Sequence, residues 1–370
     1  TEEAIKDTKY NAKVKSMFYG NKYFMFISET YKDVRMVGAP PSAIGKFGGD
    51  TDNWMWPRHT GDFSMFRIYA DKDNNPAEYS KENVPYIPKH HLPISLKGVE
   101  KGDFTMVFGF PGRTQEYLTS YAVQNIMNVS NPTKIELREE RLKLMKKDMR
   151  DSDVVRIKYA AKYARVSNYH KKWIGENKGL KRINAIEVKK AKEIEFQKWA
   201  HNKPEYKSLL NDFEKVYSQL NEMVIAQDYL YEAAFAMEFY VLAYRFEKLV
   251  TLAKQGNVKE EVWNKEVESL KSIVAKHFKD YNLATDKAIA PTLLKMYNKG
   301  VPSNYKPEIF NIINSKYKGN FDNYISYVFK KSKLTTKANV ESFMAKMNQK
   351  SILKIEKDPA YKLMANILNT

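Results

Sequence analysis

From Gly48 the chain reads Gly-Gly-Asp-Thr-Asp-Asn-Trp-Met-Trp-Pro-Arg-His-Thr-Gly-Asp-Phe, three aspartates and two tryptophans in sixteen residues. A segment that only packs has no use for so many groups with directed hydrogen bonds, so a site is favoured over an elaborate turn. Asp62 stands where the turn at Gly61 feeds an alternating run, Phe63 to Tyr69. An aspartate at the mouth of a strand can be buried, accept backbone N–H groups and stay ionised beside an imidazole. The plainer reading is an Asx-turn acid leading into a strand, and the residues alone prefer it. His59, three positions before Asp62, invites a local dyad, but a histidine so placed is more often a structural hydrogen-bonder. His90-His91 offers no third ligand at metal spacing, and adjacent side chains in an extended segment point apart. Gly109 to Gly112 lacks the Lys-Ser/Thr pair of a phosphate loop.

The elements that must position this segment follow two grammars. Before residue 131 lie 10 of the 15 glycines, and the pattern has period two. Met17-Phe18-Tyr19 and Tyr23 to Phe26 flank Gly20-Asn21 as a hairpin. Val34 to Val37, Phe63 to Tyr69 and Phe104 to Phe108 read as further short strands, which predicts an antiparallel barrel or sandwich. From Asn131 the spacing turns helical, with Pro132 at a helix start and apolar residues recurring amid charges. A second helix is predicted over Val154 to Trp173, broken at Gly175 to Gly179, and a third over Leu180 to Ala200. Tyr206 to Lys254 has no proline or glycine and reads as one long helix or a tightly joined pair. Gly256, Pro291, Gly300-Val301-Pro302 and Pro307 separate shorter helices, and Thr335-Thr336 resembles a cap for the run to Met347. No fixed-period repeat supports a solenoid.

Composition bounds the classes. At 370 residues and 43% hydrophobic, the chain is long enough for about two packed domains. No run of about 18 apolar residues could span a membrane. No segment at the start of the chain reads as a signal peptide. The absence of cysteine excludes disulfides, thiolate metal sites and a cysteine nucleophile in this stretch. The net charge of +18 is uneven: residues 1–130 hold 16 basic and 15 acidic side chains, the remainder 46 and 29. Such a field could attract nucleic acid, anionic lipid or acidic peptides, although a solvated lysine-rich helix surface explains it as well.

The segment around Asp62, with Asp33-Val34-Arg35 upstream and Gly109-Phe110-Pro111-Gly112-Arg113-Thr114 downstream, resembles the bacterial serine dipeptidyl-peptidases related to dipeptidyl-peptidase 7 and dipeptidyl-peptidase 11. The resemblance implies an α+β multidomain chain: residues 1–125 as part of a chymotrypsin-like antiparallel β-barrel, and 126–370 as a large all-α inserted domain that covers the cleft. It implies Asp62 as the catalytic aspartate, and Asn53 and Trp54 as binders of the substrate's free amino terminus. An ammonium carries three donors, so an amide oxygen and an aromatic face are suitable partners. A dipeptidyl-peptidase counts two residues from that amine, so the anchor acts as its ruler. Trp56 is better read as a packing aromatic.

This chain departs from the family pattern in one respect. The family's catalytic histidine lies upstream and its serine far downstream in a Gly-Asn-Ser-Gly-type loop, and no serine here has glycine on both sides. The chain therefore reads as an internal fragment that should not hydrolyse peptides alone. The implied reaction is release of dipeptides from oligopeptides, with no metal and no cofactor. The intact enzyme is expected to be a homodimer in the periplasm or cell envelope of a Gram-negative bacterium, with no nucleic-acid partner and no membrane span. The alternatives are a non-catalytic helical scaffold and a basic nucleic-acid-binding module, for which no RNA-recognition signature is present.

Overall fold

The computed structural model describes residues 1–370 except Trp56, Arg58, 107–114 and Asn257. It separates into two compact units, Thr1–Gly112 and Arg113–Thr370.

Among the described residues, the first unit holds two small antiparallel sheets, one α-helical turn, α1 (Ser42–Gly45), and 3-10 turns at Glu3–Ile5 and Phe18–Gly20. Strands β1 (Asn11–Met17) and β2 (Lys22–Ser28) pair from Asn11–Ser28 to Met17–Lys22. Phe18 and Tyr19, expected as strand, form the turn instead, at φ 52° and 55°. The Asn21 amide nitrogen closes it by donating to the Phe18 carbonyl at 2.7 Å. Strand β3 (Val34–Gly38) pairs with β4 (Met65–Ala70), which pairs with β5 (Val84–Pro85). A bulge between Met36 and Gly38 sets Gly38 opposite Met65, so β4 starts two residues later than the alternation beginning at Phe63 suggests. Phe104 to Met106 belong to no strand, and the rest of that expected strand lies outside the described residues.

Among the described residues these sheets do not close into a barrel. Of the described residues in this unit only Asp33 and Ala70 are buried, while Met36, Phe66 and Ile68 remain exposed. A sheet buries side chains only against a second layer, and these sheets lack one among the described residues of the unit.

The second unit is helical and opens with α2 (Ser120–Asn125). A π-helical turn, Ile126–Ser130, joins α2 directly to α3 (Asn131–Asp151). Then follow α4 (Asp153–Arg182), α5 (Ala185–Ala200) and α6 (Leu209–Tyr229). A second π-helical turn, Leu230–Ala234, precedes α7 (Glu238–Arg245), α8 (Glu247–Gln255) and α9 (Glu260–Lys279). The bundle ends with α10 (Leu283–Gly300), α11 (Ile309–Lys316), α12 (Phe321–Lys331), α13 (Lys337–Ala345) and α14 (Pro359–Leu368). One continuous core runs from Leu137 to Ile367, with Phe239, Phe246, Leu293, Leu294 and Phe310 among its deepest members.

Three sequence expectations fail here for identifiable reasons. Gly175 and Gly179 do not break α4. Two helical glycines cost about 1 kcal/mol each, but Glu176 and Asn177 between them are tied down. The Asn131 amide donates to both, at 3.0 and 2.8 Å, and the Asn177 amide donates to the Met127 carbonyl at 3.1 Å. Conversely, the glycine-free stretch from Tyr206 to Lys254 is interrupted at Leu230–Ala234 and again at Met237, whose φ/ψ of −82°/120° is extended. The break lets the first backbone N–H groups of α7 reach a buried carboxylate described below. Pro291, expected to separate helices, instead sits inside α10, where burial in the core offsets the hydrogen bond it cannot donate. Thr336 caps α13 as expected, accepting from the Asn339 N–H at 3.4 Å.

Candidate active-site segment

The chain leaves β3 through Ala39-Pro40-Pro41, and the stretch from there to β4 would be loose without internal ties. The ties begin at Pro41, whose carbonyl accepts the Ile44 and Gly45 N–H groups at 2.9 Å each. The Gly61 N–H donates to the Ile44 carbonyl at 3.1 Å and closes residues 44–61 into a loop. Gly61 suits that closure, because a Cβ there would come within 2.9 Å of the Ile44 methyl. Gly48 has φ +68°, and a Cβ on it would fall 2.0 Å from Asp52 Oδ2, so the turn demands glycine.

Asn53 and Trp54 lie inside this closed loop, and Asp62 directly follows its closing residue. Asn53 is half-buried, and its N–H donates to the Asp50 carbonyl at 3.3 Å. Trp54 adopts φ +61° with its side chain 62% exposed. A bulky residue in left-handed backbone stores on the order of 1–3 kcal/mol, and here that strain sets an indole out toward solvent. Asp62 is exposed, with no side-chain hydrogen bond or ion pair among the described residues. Its expected burial is therefore corrected: Asp62 lies three positions before β4, and no second layer among the described residues of the unit covers that end of the sheet. His59 is exposed as well, and Trp56 and the downstream segment Gly109 to Thr114 lie outside the described residues. His90 and His91 are exposed with ring centroids 6.3 Å apart, and no group of three metal-ligating side chains occurs among the described residues.

The sequence singles out Asp33-Val34-Arg35 without giving it a task. The structure makes it the polar centre of the three-stranded sheet. Arg35 grips the buried Asp33 carboxylate through Nε at 3.0 Å and Nη2 at 2.8 Å. The Asn83 amide donates to the same carboxylate at 2.8 Å, and Arg35 also donates to the Ser80 carbonyl at 2.8 Å. The guanidinium lies 3.7 Å from the Tyr69 ring centroid. The hydrogen bonds from Arg35 hold the Asp33 carboxyl down at about 2, against the opposing effect of burial. Because Tyr69 belongs to β4, this cluster anchors the strand that leaves the Asp62 segment.

The helical unit contains a second polar network that the sequence did not announce. Arg138 of α3 grips Glu232 of the π-helical turn through Nε at 2.7 Å and Nη2 at 2.9 Å. Asp286 is buried and accepts the Glu238 and Phe239 N–H groups at 2.8 Å each, with the Tyr281 hydroxyl at 3.2 Å. Burial, then the neighbouring Glu238, raises its pKa. Glu238 in turn accepts from the Tyr159 hydroxyl and, at 2.5 Å, from Lys162. His277 is half-buried against Tyr281, and burial lowers its pKa to about 4. These groups arrive from α3, α4, α7, α9 and α10, a convergence without local signature.

Comparison with known proteins decides the family. The Peptidase S46 model matches residues 1–370. The chain belongs to the Peptidase S46 family. It is 44% identical over 373 residues to an Asp/Glu-specific dipeptidyl-peptidase of Flavobacterium psychrophilum, covering 99% of this chain and 51% of that protein. It is 41% identical over 358 residues to a dipeptidyl-peptidase 7 of Phocaeicola vulgatus, covering 94% of this chain and 48% of that protein. Among solved structures it is similar to Porphyromonas endodontalis DPP11 in complex with the dipeptide Arg-Glu, with a TM-score of 0.83 and 32% identity, across 100% of this chain and 52% of that one. The S46 chain thus spans about half the length of the curated relatives it matches. Its mostly helical architecture with small antiparallel sheets matches that of DPP11.

Proposed function

We propose that the protein carrying this chain is a serine-type dipeptidyl-peptidase that releases dipeptides from the free amino terminus of oligopeptides. The observation that carries the reading is the closed loop 44–61: Asn53 and Trp54 sit within it, and Asp62 follows it, in a chain of the S46 family. In this reading Asp62 is the catalytic aspartate and orients a histidine that takes the proton from a serine nucleophile. Asn53 accepts from the substrate's ammonium and Trp54 offers it an aromatic face. The two small sheets belong to a chymotrypsin-like barrel, and the helical unit is the inserted domain that restricts the cleft to peptide ends. The exposed apolar side chains of the sheet unit support a partner layer, and that layer also supplies the cover that a triad aspartate needs. The intact enzyme is a homodimer in the periplasm or cell envelope, and this chain alone is inactive.

The test uses dipeptidyl amides with free and with blocked amino termini. The intact enzyme should hydrolyse only the free-amine series. Asp62→Asn should keep the fold and lower turnover roughly 10⁴-fold, as tautomer control is lost. Near-normal turnover in that variant would remove Asp62 from the triad.

A further inference from the structure

Residues 331–358 carry seven lysines and only three acids, Glu341, Glu356 and Asp358. All three acids are already engaged. Glu341 faces Lys337 at 3.8 Å, and Glu356 pairs with Lys254 at 2.7 Å. Asp358 is buried, accepting the Ser332 hydroxyl at 2.7 Å and the Lys333 and Ala360 N–H groups at 2.6 and 2.9 Å. Lys331, Lys333, Lys346, Lys354 and Lys357 are exposed and form no ion pair among the described residues.

These five cations surround two adjoining cavities. One, of about 310 Å³, is lined by Lys333, Asn339, Ser342, Phe343, Lys346 and Lys354. The other, of about 180 Å³, shares Lys333, Phe343 and Lys354 and adds Lys331, Lys357 and the buried Asp358, whose carboxylate is already taken up by Ser332, Lys333 and Ala360. The Asn339 side-chain amide and the Ser342 hydroxyl have no partner among the described residues, leaving neutral donors beside the cations. Phe343 forms the shared wall, with Lys333 Nζ 5.6 Å from its ring centroid. Asn339, Ser342 and Phe343 of α13, with Lys346 directly after its end, build this face because they recur at three- and four-residue spacing.

We propose that these cavities form a binding site for a multiply charged phosphate-type anion. Five lysines against one internally bonded carboxylate leave the concave surface strongly positive, and such a surface focuses its field and concentrates counter-ions. The cluster contains lysine and no arginine. Arginine's planar fork matches a carboxylate in two points, whereas lysine acts as a compact point charge around an anion of several charges. Such an anion could be free polyphosphate or the headgroup of an anionic lipid.

The test titrates inorganic tripolyphosphate into the protein by calorimetry at low salt. Saturable binding should weaken at least about tenfold in Lys333→Gln/Lys354→Gln. It should change little in Lys178→Gln/Lys181→Gln, which removes the same charge from exposed positions on α4. Equal weakening in both variants, or no saturable binding, would overturn the proposal. Sedimentation with vesicles containing phosphatidylinositol 4-phosphate, whose headgroup is multiply charged, against phosphatidylcholine vesicles, separates the sources. Capture lost in the Lys333/Lys354 variant assigns the lipid headgroup, and tripolyphosphate binding without capture assigns the free anion.

Discussion

Removing Glu232 should destabilise the helical unit far more than removing Glu232 and Arg138 together. The pair joins α3 to the π-helical turn and is nearly enclosed, with side-chain exposures of 14% for Arg138 and 10% for Glu232. Arg138 also donates to the Val166 carbonyl at 3.1 Å and lies 4.6 Å from the Trp173 ring centroid. In Glu232→Ala the guanidinium stays in place without its carboxylate. Lys134 and Arg141 lie one turn away on either side along α3, so nearby charge increases the penalty. Breaking one side of a buried pair costs about 3–5 kcal/mol. At roughly 2–4 °C per kcal/mol for a unit of this size, the melting temperature should fall by about 10 °C. The double variant Arg138→Met/Glu232→Leu replaces both charges by apolar volume and should lie within about 2 kcal/mol of the parent. Urea unfolding followed by circular dichroism measures all three proteins. A loss below about 1 kcal/mol in Glu232→Ala would refute the reasoning, and a double variant worse than the single would do so independently.

Three further outcomes are expected. His277 is held largely neutral by burial, facing Glu238 and Lys162, with its folded pKa lowered from 6.5 to about 4. Above pH 6.5 it leaves stability unchanged; as pH falls from 6.5 toward 4 the unfolded chain takes up the proton first, so stability should drop by about 2–3 kcal/mol. His277→Gln should flatten that part of the stability–pH profile, and an unchanged profile would assign the dependence to other groups. Gly48→Ala should destabilise the loop by on the order of 1–2 kcal/mol through its positive φ and the clash with Asp52; Gly49→Ala, with nothing within 4 Å of its added Cβ, should cost less, and equal losses by thermal unfolding would argue against the clash. Asn53→Ala in the intact enzyme should lower kcat/KM for free-amine dipeptidyl amides by on the order of 2–3 kcal/mol. Blocked substrates should be poor in both proteins, and an equal loss on every substrate would make Asn53 structural.

What the sequence determined by itself was local and periodic. Gly20-Asn21 marked a turn between paired strands, Val34 to Val37 alternated as a strand, and Thr336 announced a cap, because each signal depends on neighbours in the chain. The Asp62 segment was legible for the same reason: its glycines, tryptophans and aspartates are contiguous, and they matched a known family as a block. Tertiary structure decided what depends on distant partners. Gly175 and Gly179 remain helical because Asn131 and Met127 hold the residues between them. The helix after Tyr206 breaks where Asp286, far along the chain, receives the N–H groups of Glu238 and Phe239. Burial of a carboxylate is likewise a property of the layers around it. Asp33 gains cover from Arg35, Tyr69 and Asn83, whereas Asp62, read from sequence as the buried acid, lies at an end of the sheet that none of the described residues of its unit covers.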